Sequence, residues 1–392
     1  MKPRLFILWG SPYTFAETLA PQIPALAAKF QIVLAMTDHR MTESARSLGN
    51  MLKAEGTVED FFVLPVWSGS MLAQHRLMRG FVELTRAIRF DAFLSVSTAL
   101  PYERYITEFI CPRAFRILYW PHLVNTHLDI ALSDALQSEG PLPRAGARSK
   151  QGETRFLLRI FDRYIYPLIY AHRIFAPGRF DSFSQIGTQF DLMLLHSETD
   201  AADFRRIYGR IEIRAVAFPR VPLPTERWNA ILMPFSLHDE QEAHLLYAAY
   251  RRDLRTALRE TGAPEIHLRV HPGRSDPWLS TFTESLRRDG VPIFVVGAHE
   301  PVTTQAARYR GCIGAASAAL RDVRLACKDL FVVGLDSLSQ GYTLRAKRLL
   351  GLGVEWIEAD GRCDPSLFTP RTVNTGLPEA ADVIIEAYEG AK

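Results

Sequence analysis

The stretch Glu265-Ile-His-Leu-Arg-Val-His-Pro-Gly-Arg274 decides the fold. Residues 265–270 read as a strand with a β-branched end, and Pro272 cannot continue a sheet ladder. Gly273 then permits a tight turn, residues 277–289 have helical spacing, and residues 293–296 are an apolar run. Strand, turn, helix and strand in that order make a parallel βαβ unit. The pattern repeats outward. Strands are expected at 231–234, 312–313, 330–333 and 355–357, with helices at 239–260, 317–327 and 379–388. Toward the N-terminus, strands fall at 5–9, 31–36, 61–66, 91–96, 116–120 and 191–196. The helices there are 16–30, interrupted by Pro21 and Pro24, then 71–89 and 200–208. Continuous apolar strands separated by helices mean parallel sheets covered on both faces, the doubly wound α/β class.

Length and composition agree with this. A chain of 392 residues suggests two domains, and 47% hydrophobic with 23% charged residues is the make-up of a folded globular protein. A net charge of +3 excludes charge-driven disorder and a global basic field, so nucleic acid is not an expected partner. Cys111, Cys312, Cys327 and Cys363 match no zinc or redox spacing and read as free thiols of a reducing compartment. The run 5–9 is too short for a secretory h-region, and no stretch reaches the roughly 20 apolar residues of a membrane span. The expectation is a cytoplasmic protein. Residues 134–152 read as a loop and 153–172 as a long helix. Its basic–aromatic part, 155–173, reads first as a core helix with snorkelling arginines, and second as peripheral contact with the anionic inner membrane.

In open α/β sheets, ligands sit at the carboxyl ends of strands. His271 and Arg274 follow one such end and can hold a phosphate or pyrophosphate; the plainer alternative is a polar turn. In Gly311-Cys-Ile-Gly-Ala-Ala-Ser317, small residues lead to Ser317, a good N-cap at a helix start suited to an anion. Ser236 and His238 lie at the corresponding end of 231–234. In the N-terminal half, Gly10 and Ser11, Ser95 and Ser97, and His122 follow strands; His122 is a candidate general base, with His127 and Asp129 behind it. The chain lacks GxxxxGK[ST], GxGxxG after the first strand, GxSxG and HExxH, which removes P-loop, nicotinamide, hydrolase-elbow and zincin chemistry.

Leu268-Arg-Val-His271-Pro272 resembles the HP motif, often K-x-H-P, of bacterial GT-B transferases that use cytidine-activated donors. These are the sialyltransferases, polysialyltransferases, capsule Kdo transferases and CDP-glycerol teichoic-acid polymerases. Gly314-Ala-Ala-Ser317-Ala-Ala-Leu-Arg-Asp322 is similar to their serine-containing SS motif, which precedes a helix. Asp191-Leu-Met-Leu-Leu-His-Ser197 with Asp203-Phe-Arg-Arg-Ile-Tyr-Gly209 looks like the strand–helix before the linker of the teichoic-acid enzymes. Tyr119-Trp120-Pro121-His122 falls where those enzymes carry W-H-G. Arg269 stands for the lysine of K-x-H-P, Ala316 for the first serine of the pair and Leu123 for the glycine of W-H-G. The resemblance implies that His271 and Ser317 bind the donor phosphate of a cytidine nucleotide.

The resulting expectation is a GT-B protein with two Rossmann-like domains facing across a cleft. Residues 1–217 would bind the acceptor, 218–229 would be a proline-rich linker, and 230–392 would bind the nucleotide donor, the last helix being free to return to the first domain. The activity expected is transfer of a nonulosonic acid or Kdo from a CMP-activated donor to a surface glycan or glycolipid acceptor. His122, or second Asp129, would act as base. His271, Pro272, Arg274, Ser317, Ser236 and Arg269 would form the donor site, with loops 297–301 and 335–341 around the base. Gly10, Ser11 and Ser97 would lie on the acceptor side. No metal or cofactor is required, because cations can neutralise the single phosphate of CMP. The alternatives are a CDP-polyol phosphotransferase, a non-hydrolysing nucleotide-sugar epimerase, and a non-catalytic scaffold or glycan-binding protein of glycan assembly.

Overall fold

The computed structural model describes residues 2–10, 12–37, 41, 43–64, 88–96, 111, 113–120, 190–207, 211–234, 240–270, 277–298, 300–327, 329–335, 349–358, 361–373 and 375–392. The expected helices 71–89 and 153–172 and the loop 134–152 lie outside these residues, apart from 88 and 89. The described residues fall into two compact units. The first comprises the residues up to 120, those of 190–217 and Leu377–Lys392; the second is Phe218–Gly376.

The first unit holds strands β1 (Arg4–Trp9), β2 (Gln31–Thr37), β3 (Asp60–Leu64), β4 (Ala92–Ser95), β5 (Phe115–Tyr119), β6 (Leu192–Leu195) and β7 (Glu212–Ala215). They form one sheet in the order β3-β2-β1-β4-β5-β6-β7, every recorded pair parallel. Phe6, Ile7 and Leu8 of the central β1 are fully buried, as a strand covered on both faces must be. Strand β7 is absent from the sequence reading, because an edge strand alternating Glu212, Ile213, Arg214 and Ala215 carries no apolar run.

Helix α1 (Pro12–Thr18), a 3-10 turn (Ala20–Gln22) and α2 (Ile23–Lys29) replace the single helix expected at 16–30. Pro21 and Pro24 each sit in a first turn, where a missing N–H costs nothing. Helix α3 (Glu43–Ala54) was not anticipated, although Ala45, Leu48 and Leu52 share one face. Gly49 on that face lies under the Phe61 ring, which a Cβ would meet at 2.5 Å. Helix α4 (Glu198–Ile207) follows β6.

The second unit contains β8 (Trp228–Pro234), β9 (Ile266–Arg269), β10 (Ile293–Val296), β11 (Tyr309–Gly314), β12 (Phe331–Leu335) and β13 (Glu355–Ile357). Their order is β10-β9-β8-β11-β12-β13, again parallel throughout. Helices α5 (Glu240–Thr261), α6 (Leu279–Arg288), α7 (Val302–Ala306) and α8 (Ala318–Ala326) pack on it. Strand β10 reads as buried but is an edge: Phe294 and Val295 are each 43% exposed, with the Arg287 guanidinium over the Phe294 ring at 5.2 Å.

Two segments differ from simple linker and tail. Phe218 is buried, Val221 N–H donates to Ala326 O (3.0 Å), and Arg227 donates to Asp329 O (3.1 Å). The proline-rich stretch is thus an arm laid on the second unit, and β8 already begins at Trp228 inside the range read as linker. The last helix, α9 (Ala380–Gly390), belongs to the first unit. Val383, Ile384 and Tyr388 enter its core, and Tyr388 meets Phe30 edge-on at 5.1 Å. Gln22 donates to Glu379 at 2.7 Å. All four cysteines are free, with Cys111, Cys312 and Cys327 buried. No described helix is long and apolar enough to cross a membrane.

Candidate functional site

The sheet order of the second unit fixes where its topological switch point lies. From β8 the chain winds out through β9 and β10, then returns to place β11 on the other side of β8. The switch point lies between β8 and β11, and such a point opens a crevice at the strands' carboxyl ends. Pro234 pairs with Arg269, and Arg269 with Val296, so these strand ends form one row. Gly314 extends it: a Cβ there would lie 3.5 Å from Pro234 O. The loops after β8, β9 and β11, which carry the C-terminal site candidates, leave from neighbouring ends of this row.

Ser317 is the cap of α8. Its backbone is extended (φ −135°, ψ 161°), and its Oγ accepts from Leu320 N–H at 3.4 Å, satisfying one of the orphan donors of the first turn. Ala315 and Ala316 before it are buried, Ala316 within the cluster around Leu320 and Val323. That burial gives a packing reason for alanine where the resembled motif has its first serine. Within α8, Arg321 is 2% exposed and donates Nε and Nη2 to Asp322 Oδ1 (2.8 and 2.6 Å). Burial pushes the Asp322 carboxyl above the usual range, and Arg321 works against that shift.

The two glycines of β11 have different causes. At Gly311 a Cβ would meet the Phe331 ring at 2.1 Å, so this glycine is dictated by cross-strand packing. At Gly314 a Cβ would make only ordinary contacts, the nearest at 3.5 Å, so described packing does not dictate that glycine.

Arg269 ends β9 and is 7% exposed. Its Nε donates to Gln305 Oε1 at 2.6 Å and its Nη2 to Glu300 O at 2.8 Å. Residues Ser236, His271, Pro272 and Arg274 lie outside the described residues; Pro234 and Arg269 are the strand ends that lead into them.

In the first unit the corresponding switch point is between β1 and β4, with Leu8 beside Ser95. Gly10 follows β1 directly, and its carbonyl accepts from Thr37 Oγ1 at 3.1 Å. Ser11, Ser97, His122 and Asp129 are outside the described residues, as are residues 155–173. Below this edge lies a buried aromatic layer. Trp9 packs on Tyr119 (5.8 Å), and Tyr119 meets His196 edge-on (5.3 Å). His196 and Ser197, which the sequence reading placed at a strand end without a site role, repeat the pattern of a polar pair before a helix. Ser197 Oγ accepts from Asp200 N–H at 3.3 Å, and His196 is 2% exposed, so both serve the packing of β6 and α4. Among the described residues no cluster of His, Cys, Asp and Glu is suited to a metal ion.

No protein-family model and no curated protein matches the sequence. Solved structures do. A Listeria monocytogenes protein assigned as a UDP-N-acetylglucosamine 2-epimerase aligns over 100% of this chain and 96% of its own, with TM-score 0.53 and 11% identity. LpCGTa in complex with UDP aligns over 100% and 94%, with TM-score 0.50 and 11% identity. Likeness at this identity speaks of fold. Two parallel, doubly wound sheets and alignment over the whole chain establish the GT-B fold.

Proposed function

We propose that this protein is a glycosyltransferase that moves a nonulosonic acid or Kdo from a CMP-activated donor to a surface-glycan or glycolipid acceptor. One observation carries the reading: the β8, β9 and β11 ends that lead to Ser236, the HP segment and Ser317 are neighbours at the switch point of the second unit. His271, Arg274 and Ser317 would stabilise the charge on the departing phosphate, the α8 N-terminus adding its dipole. The acceptor hydroxyl would be deprotonated by His122, with Asp129 the second choice, as its oxygen attacks the anomeric carbon and CMP departs with the electrons of the broken carbon–oxygen bond. The charge of one phosphate can be met by these cations and dipoles without a metal.

A second reading, a UDP-sugar epimerase or transferase, is favoured by the two aligned structures, one described with UDP and one as a UDP-sugar epimerase. A thermal-shift screen with CMP, CDP, UDP and GDP separates the readings, since stabilisation follows RT ln(1+[L]/Kd). Selective stabilisation by CMP is expected. Selectivity for CDP would indicate a polyol phosphotransferase, selectivity for UDP the second reading, and no response a scaffold. His271→Ala is expected to abolish transfer with the fold intact; retained turnover of a CMP-sugar would sink the assignment.

A further inference from the structure

We infer that Arg269 is a positioning residue for nucleotide binding, holding the loop after β10 in the shape the donor pocket needs. The inference rests on the nucleotide-donor reading above. Sequence alone makes Arg269 a cation for the phosphate. The geometry gives its guanidinium other work. Two of its nitrogens donate inside the domain, to the Gln305 side chain and the Glu300 carbonyl. Gln305 is 8% exposed, and its Nε2 donates onward to Gly297 O at 3.2 Å. One planar fork and one amide therefore join the end of β9 to the start, the end and the following helix of a single loop.

That loop is well placed to matter. It leaves β10 beside Arg269 itself, at the strand end paired with the one preceding His271. Its far end is fastened independently: Arg308 pairs with Glu300 at 2.9 Å, and Cys327 Sγ donates to Thr303 O at 3.3 Å, tying α7 to the end of the Ser317-capped helix. The Arg269–Gln305 strut thus couples the HP strand, the β10 loop and, through α7, the α8 layer. Lysine cannot replace it. One ammonium on a flexible stem does not span two oxygens with fixed directions, whereas a guanidinium does.

The test uses the full chain as wild type, Arg269→Lys, Gln305→Leu and the double variant, with circular dichroism to confirm folding. Amide exchange at Gly297, Ala298 and Glu300 reads the loop. Kd for whichever of CMP, CDP, UDP and GDP most stabilises the wild type reads the pocket. Each single variant is expected to speed exchange there and weaken nucleotide binding about tenfold. The double variant should be no worse than either alone, because both remove one shared strut. If Arg269→Lys retains protection and affinity, charge alone suffices and the inference fails. Faster exchange with unchanged affinity also overturns it, by detaching the loop from the pocket. A wild type that binds none of the four nucleotides fails the functional reading itself, and this inference with it.

Discussion

Ser317 accepts only a long bond from Leu320 N–H, so its capping value belongs at the low end of the range, about 0.5–1 kcal/mol. In a domain of this size that is about 1–4 °C of melting temperature. Ser317→Ala should therefore lower the second unit's calorimetric transition by no more than that, while transfer activity falls at least tenfold if the serine meets the phosphate. A loss of activity no larger than the stability change would leave the serine a cap. Gly311 gives the opposite prediction. Gly311→Ala pushes a methyl into the Phe331 ring and should cost about 1–3 kcal/mol by denaturant titration, the usual price of overpacking. At this scale Ser317 was legible, because a serine after small residues at a strand end has few other uses. Arg269 was legible only as a charge; that its charge is turned inward depends on Gln305, 36 positions away.

Among the elements, α9 is the most informative. Tyr388 is 5% exposed and packs edge-on against Phe30 and Phe115. Tyr388→Ala is expected to destabilise the first unit by about 3 kcal/mol, read from its unfolding transition. Glu389 at the helix end pairs with Lys29, which holds its carboxyl below the usual 4.5. A depressed folded value means the contribution is present above the unfolded carboxyl range and is lost as the pH falls through the folded one. Glu389→Gln should therefore lower the melting temperature slightly at neutral pH, with the difference from wild type vanishing in acid. A difference that persists in acid would assign the effect to something other than this pair. Most strands were legible because a parallel sheet buries both faces and leaves continuous apolar runs. The exception is the edge strand β7, which alternates; β10 was legible as a strand, but its apolar run did not show that it is a half-open edge.

For the whole molecule, the described residues cross from the first unit to the second at Phe218 and back at Leu377. Truncation after Gly376 removes the side chains of Val383, Ile384 and Tyr388 from the first core. At about 1.5–3 kcal/mol each, their loss takes a large part of the 5–15 kcal/mol that a domain has. Calorimetry should show the first-unit transition lost or sharply lowered and the second-unit transition unchanged. A uniform fall of both would mean that α9 serves the two units alike.

The sequence by itself determined the fold class, nearly every strand and which loops leave the strands' carboxyl ends. Those features follow from local periodicity and from residues such as Pro272 and Ser317 that act on their immediate neighbours. Only the tertiary structure decided that residues 218–227 are a packed arm, that α9 returns to the first core, and that Arg269 braces a loop. Each of these depends on partners far away in the chain. Burial and hydrogen bonding between distant segments are settled by which sheet edge a segment meets, and no local pattern of apolar and polar residues records that.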